Sequence, residues 1–170
     1  FEWAVAFKPD FAEAYNNLGI VQRERNQLYE AIENFEKAVA IKGDYEQGHS
    51  NLGHTLQEVR KLDEAIKRYE KVLAINPNYA QAHLNLGLVH QERGQVDEAV
   101  KKFEKTLATN PNYAEAYYNL SAIKQYTISD EQITQMQSLL STSNLSQSDR
   151  IHLCFALAKV NEDLGNQDEF

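Results

Sequence analysis

One spacing governs what this chain can fold into. Gly19, Gly53 and Gly87 recur every 34 residues, and so do Ala31, Ala65 and Ala99. Phe35, Tyr69 and Phe103 make a third column at that period, and Gly43, Pro77 and Pro111 a fourth. A repeat this short cannot bury its own apolar face. Each copy must stack on the next, so the period predicts a solenoid and makes length a count of repeats rather than of domains.

Residues 80–113 show the repeat most clearly. Ala82, Leu86 and Val89 share one helical face, and Val100, Phe103 and Leu107 share another, which predicts two amphipathic helices. Gly94 ends the first, and Asp97 is placed to cap the second, where a carboxylate accepts unpaired N–H groups. Asn110 and Pro111 end the second, since proline lacks the N–H and disfavours helix in the residue before it. Gly87 and Ala99 are read as points of close helix approach, which a larger side chain would disrupt.

Leu-Gly, then Ala, then an aromatic, then Pro at this period resembles the tetratricopeptide repeat. The resemblance implies an all-α fold, a right-handed superhelix of helix-turn-helix repeats that binds ligands in a concave groove lined by the first helices. The family's aromatic at the eleventh position is replaced by Gln22, Leu56 and His90. Full repeats are expected at 12–45, 46–79 and 80–113, an irregular fourth with a three-residue insertion at 114–150, and a partial fifth at 151–170.

Residues 1–11 align with the second helices, Phe1 on Tyr69 and Phe103, and so read as half of a truncated repeat from a longer array. Phe1, Trp3, Val5 and Phe7 would leave apolar surface there, inviting self-association through end repeats. Ala114 to Tyr126 is expected to be a first helix with Ser121 in the glycine place. Ser129 to Gln132 reads as a capping box leading into Ile133, Met136, Leu139 and Leu140. Ser148 to Leu164 is the next first helix, with Gly165 matching Gly94, and Asp168 and Glu169 would open another second helix. The tail FALAKVNEDLGNQDEF is also similar to the last repeat of bacterial proteins in which such an array precedes a sulfotransferase or glycosyltransferase domain. That resemblance implies an alternative role, a structural or substrate-presenting arm of a transferase whose catalytic domain lies elsewhere.

The net charge of -8 opposes binding to nucleic acid or to an anionic membrane, whose recognition draws on Lys and Arg. No apolar run approaches the roughly 18 residues of a membrane span. Cys154 is the only cysteine, so no internal disulfide forms, and a cytoplasmic location is expected. The second helices mix Lys67, Arg68, Lys71, Lys101, Lys102 and Lys105 with Glu36, Glu70 and Glu104, as a solvated face does.

Binding residues are sought on the first helices. Asn17, Asn51, Asn85 and Asn119 form a regular column, although asparagine in a helix interior costs roughly 0.5 to 0.7 kcal/mol against alanine. Such a column suits an extended peptide backbone, because each amide both donates and accepts. It is similar to the asparagine ladder of O-linked N-acetylglucosamine transferase; the other reading is that each Asn bonds a neighbouring helix. Leu84, Leu88, Tyr118 and Tyr126 are the apolar anchors, or else pack between repeats. Glu24, Glu58 and Glu92 form an acidic column, broken by Tyr126, that favours a basic peptide if it faces the groove. The clamp by which some chaperone-binding relatives hold acidic C-termini needs Lys, Asn and Arg in the groove, where Asn16, Ile20, Gln81 and Asn85 stand instead.

The chain is not expected to be an enzyme, and neither cofactor nor metal is expected. No two histidines lie at the i, i+4 spacing of a helical metal site. Cys154, two residues from His152 and in the repeat place of His83 and Tyr117, is expected to be a packed thiol rather than a nucleophile. The function these residues predict is a protein- or peptide-binding scaffold, part of a larger protein.

Overall fold

The computed structural model describes residues 11–127 and 130–165. These residues form nine helices and no strand: α1 (Ala12–Glu24), α2 (Leu28–Ile41), α3 (Glu46–Glu58), α4 (Leu62–Ile75), α5 (Ala80–Glu92), α6 (Val96–Thr109), α7 (Ala114–Ser121), α8 (Glu131–Leu140) and α9 (Gln147–Asp163). The fold is that of an all-α tetratricopeptide solenoid. Residues 1–10, with the half repeat read there, lie outside the described residues, as do Ser129 of the expected capping box and Asp168 and Glu169. The chain divides into two compact halves, one ending at Asn85 and one beginning at Leu86.

In the first half α1 packs on α2, α3 on α4, and α2 on α3. The glycine column explains the first two contacts. A Cβ on Gly19 would stand 2.7 Å from Cε1 of Phe35, and one on Gly53 2.8 Å from Cε1 of Tyr69. Each first helix thus offers a socket, and the aromatic of the second helix fills it. Ala31 and Ala65 on the second helices are fully buried.

The turns repeat as faithfully as the core. Asn26 and Arg60 adopt left-handed backbone, φ 61° and 64°. Behind each, the next amide reaches back five residues, Gln27 to the Gln22 carbonyl and Lys61 to Leu56, both at 2.9 Å. These bonds close the helix ends in the Schellman manner. At the following turn His49 Nε2 donates to the Gly43 carbonyl at 3.1 Å and His83 Nε2 to Pro77 at 3.0 Å, so a ring six residues on fastens the start of each new repeat.

The second half uses the same devices and then departs from them. A Cβ on Gly87 would lie 2.5 Å from Phe103, Gly94 has φ 72°, and Gln95 N bonds the His90 carbonyl at 2.9 Å. Tyr117 takes the place of the fastening histidines, its hydroxyl 2.9 Å from the Pro111 carbonyl and 2.9 Å from Gln135 Oε1. Asp97 lies in the first turn of α6, whose N-cap residue is Gln95, so its carboxylate meets the helix dipole without capping.

The expected helix from Ala114 to Tyr126 stops at Ser121. Ser121 Oγ bonds the Tyr118 carbonyl at 2.8 Å, a local bond that competes with the helical ladder, and no tight glycine contact holds the helix in line beyond it. The chain then turns through a polar knot. Lys124 Nζ lies 2.9 Å from Asp130 Oδ1, and Asp130 Oδ2 accepts from Thr127 N at 2.7 Å. Those bonds hold the Asp130 carboxyl below its usual range, the Thr127 amide contributing most. α8 buries only Met136, and α9 packs on α7 and α8.

Candidate functional site

In the first half the asparagine column is tied into the protein. Asn51 Nδ2 donates to Asn16 Oδ1 at 2.9 Å, across from α3 to α1, and Asn16 is buried. Asn51 and Asn17 are half-buried. Asn85 is 6% exposed; its Oδ1 accepts from Gln81 Nε2 at 2.9 Å, and its side chain bonds the Tyr69 hydroxyl, which donates to Gln57 Oε1 at 3.4 Å. Burial is the main cause that pushes the Tyr69 hydroxyl well above its usual range, with Glu58 adding to it. Asn85 therefore completes a part-buried polar relay from α3 through α4 to α5.

Leu84, expected as an anchor, is fully buried and offers nothing to a ligand. The reason lies in α5 itself: residues 82–87 are all buried, so the helix has no solvated stripe there. Glu24 and Glu58 are exposed. Glu58 Oε1 is 3.0 Å from His54 Nδ1, and that same nitrogen is 3.2 Å from Arg23 Nη1. Nδ1 of His54 thus lies between a guanidinium donor and a carboxylate acceptor.

In the second half Leu88 is half-buried and Glu92 exposed. Asn119 turns its amide to its own helix, donating to the Glu115 carbonyl at 2.8 Å. Tyr118 is 41% exposed, its ring centroid 5.4 Å from His152 and 6.3 Å from Phe155, the latter edge-on. Tyr126 is a second correction among the anchors, at 2% exposure. It lies past the end of α7, its N–H donates to Asp163 Oδ2 at 3.2 Å, and Lys124 Nζ sits 5.0 Å above its ring. Burial and then the carboxylate of Asp130 raise its hydroxyl pKa strongly.

Two further aromatic residues of this surface were not anticipated, His152 and Phe155. The signal was present: the frame that sets Cys154 in the column of His83 and Tyr117 puts Phe155 in that of Leu84 and Tyr118. Cys154 itself is exposed, not packed, because α9 turns Leu153, Ala156, Leu157 and Val160 inward instead. Glu115, Asp149 and His152 line a cavity of about 350 Å³ at the N-terminal ends of α7 and α9. Among the described residues no group of His, Cys, Asp and Glu gathers to hold a metal ion, and no helix is long and apolar enough to cross a membrane.

The tetratricopeptide-repeat family model matches residues 12–45, and a second model of the same repeat matches 61–94 and 91–125. No curated protein matches the chain in sequence. Among solved structures, a crystal structure of MamA is similar at a TM-score of 0.70 and 21% identity, covering 99% of this chain and 87% of that chain. MamA from residue 41 onward, from Desulfovibrio magneticus RS-1, gives 0.67 and 18%, covering 97% and 82%. The first repeat domain of Spaghetti (RPAP3), bound to the HSP90 peptide SRMEEVD, gives 0.64 and 22%, covering 66% of this chain and 89% of that one. At such identities the likeness is one of fold.

Proposed function

We propose, from the premise that this chain belongs to the tetratricopeptide-repeat family, that it is a protein-interaction scaffold holding an extended peptide against its first helices. The repeats are read as 12–45, 46–79, 80–113, an irregular 114–150 and a partial 151–170. The amide of Asn51 carries the reading. One N–H is fixed by Asn16, while the carbonyl oxygen and the second N–H remain for a peptide backbone. An amide already held in one orientation loses little freedom on binding, which favours affinity.

One or two such contacts supply about 0.5 to 1.5 kcal/mol each, too little for stable capture, so apolar contact is required as well. Leu88 and the exposed ring of Tyr118 are the residues of the expected set that can provide it. The exposed carboxylates of Glu24, Glu58 and Glu92, on a chain of net charge -8, favour a basic peptide.

Selection of displayed random peptides against the intact chain tests this, followed by fluorescence anisotropy of the peptides recovered. Basic, extended sequences are expected. Asn51→Ala and Tyr118→Ala, each with an unchanged circular dichroism spectrum, should weaken them at least about fivefold, the equivalent of one hydrogen bond or ring contact. Unchanged affinity in both variants sinks the reading and favours the structural arm of a larger transferase.

A further inference from the structure

His49 fastens one repeat to the next with half of its imidazole. Its Nε2 donates to the Gly43 carbonyl at 3.1 Å, which places the single proton of the neutral ring on that nitrogen. Nδ1 is buried and has no hydrogen-bond partner, in a residue only 4% exposed. A second proton there would create a buried donor without an acceptor and a buried charge without a counter-ion. The charged side chains that act on the ring are Arg68 and Lys71 of α4, both cations, and among the described residues of α1, α2, α3 and α4 no carboxylate offsets them. Burial first, and then these cations, keep its pKa below the ordinary value. The turn it fastens is also the one built to yield. Where Pro77 and Pro111 stiffen the corresponding turns, Gly43 is exposed, and a Cβ on it would meet nothing within 4 Å. Glycine leaves an opened chain freer than proline does, so opening is less costly here. Tyr117 makes the same bond to Pro111 through a hydroxyl whose pKa burial raises, and so does not respond to mild acid.

We infer that His49 is a proton-operated clasp that releases the peptide in acid, the second part resting on Asn51 as the peptide's holder. A proton reaches Nδ1 only when the turn from Gly43 to His49 opens. Asn51 lies two residues further along α3, and its bond to Asn16 on α1 needs the start of α3 to be seated. Opening therefore unseats the amide that faces the peptide backbone. The linkage runs both ways: a bound peptide keeps the clasp shut and resists the proton.

Hydrogen exchange of the full chain at pH 7.5 and pH 5.5 tests the clasp. With a histidine near 6.5 in the opened form, opening becomes about ten times more populated at the lower pH. Protection of the amides of residues 49–51, corrected for the intrinsic pH dependence of exchange, should fall by that factor. His49→Gln, which keeps a donor but does not titrate, and His49→Tyr, the residue that serves at position 117, should both abolish the fall. Fluorescence anisotropy with a histidine-free basic peptide selected against the chain gives the second readout. Its affinity at pH 5.5 should drop by up to the same tenfold in the parent and by less in both variants. The groove carboxylates are common to all three proteins, so the difference belongs to His49. Protection that does not fall in the parent, or falls equally in both variants, overturns the clasp. An affinity with the same pH dependence in parent and variants overturns its link to binding. If no peptide is recovered, the peptide-binding reading fails by itself, and exchange still decides the clasp.

Discussion

At the scale of single residues the repeat is a set of sockets and donors. Gly53 shows the first. A methyl group there would stand 2.8 Å from the Tyr69 ring, and the ring cannot retreat because it is fully buried and its hydroxyl is bonded to Gln57. Gly53→Ala should therefore destabilise the first half by about 1 to 3 kcal/mol despite its gain in helix propensity, read from the midpoint of urea unfolding. His49 shows the second. Its Nε2–H is held by the Gly43 carbonyl, its Nδ1 is buried without a donor, and burial, then Arg68 and Lys71, holds its pKa below the usual value. The unfolded chain, with histidine near 6.5, takes up a proton before the folded one does. This contribution to stability is complete above about pH 6.5 and declines as pH falls toward the folded value. His49→Gln, which keeps a donor but does not titrate, should flatten that part of the profile of unfolding midpoint against pH. The glycine socket was legible in the sequence because the glycines and rings recur together. The fastening bond was not, since a histidine in one repeat and a tyrosine in another share only a donor, and spacing alone does not reveal its acceptor.

At the scale of elements, helix ends obey one geometry with different residues. Gly94 was recognisable as a stop, whereas Asn26 and Arg60 occupy the same left-handed place without the residue that advertises it. Left-handed backbone costs an ordinary side chain roughly 1 to 2 kcal/mol. Arg60→Gly is accordingly expected to raise stability by about 0.5 to 1 kcal/mol, part of the gain being lost to the freer unfolded chain, and calorimetry would show it as a higher melting temperature. α9 carries a side-chain cap: Ser146 Oγ accepts from Asp149 N at 3.0 Å. Ser146→Ala should lower stability by about 1 kcal/mol and loosen protection of the first α9 amides in hydrogen exchange. In the fourth repeat the helical periodicity of the letters runs on to Tyr126, past the point where the helix itself ends at Ser121.

At the scale of the whole molecule, the chain is a row of local contacts in two compact halves. Stability in such a row is a sum over repeats and their neighbours rather than one all-or-none quantity. Gly53→Ala should thus lower hydrogen-exchange protection in α3 and α4 first, leaving α8 and α9 closer to wild type; a uniform loss would show the chain to be a single cooperative block. The socket and its ring have one more consequence. They lie sixteen positions apart inside a single 34-residue stretch, Gly19 with Phe35, Gly53 with Tyr69 and Gly87 with Phe103. Any duplication of that stretch copies lock and key together, so the array can lengthen without a fresh match having to arise by chance. Where Ser121 closes the lock, α8 contains no aromatic residue at all. Socket and ring are thus absent together from the α7–α8 pair.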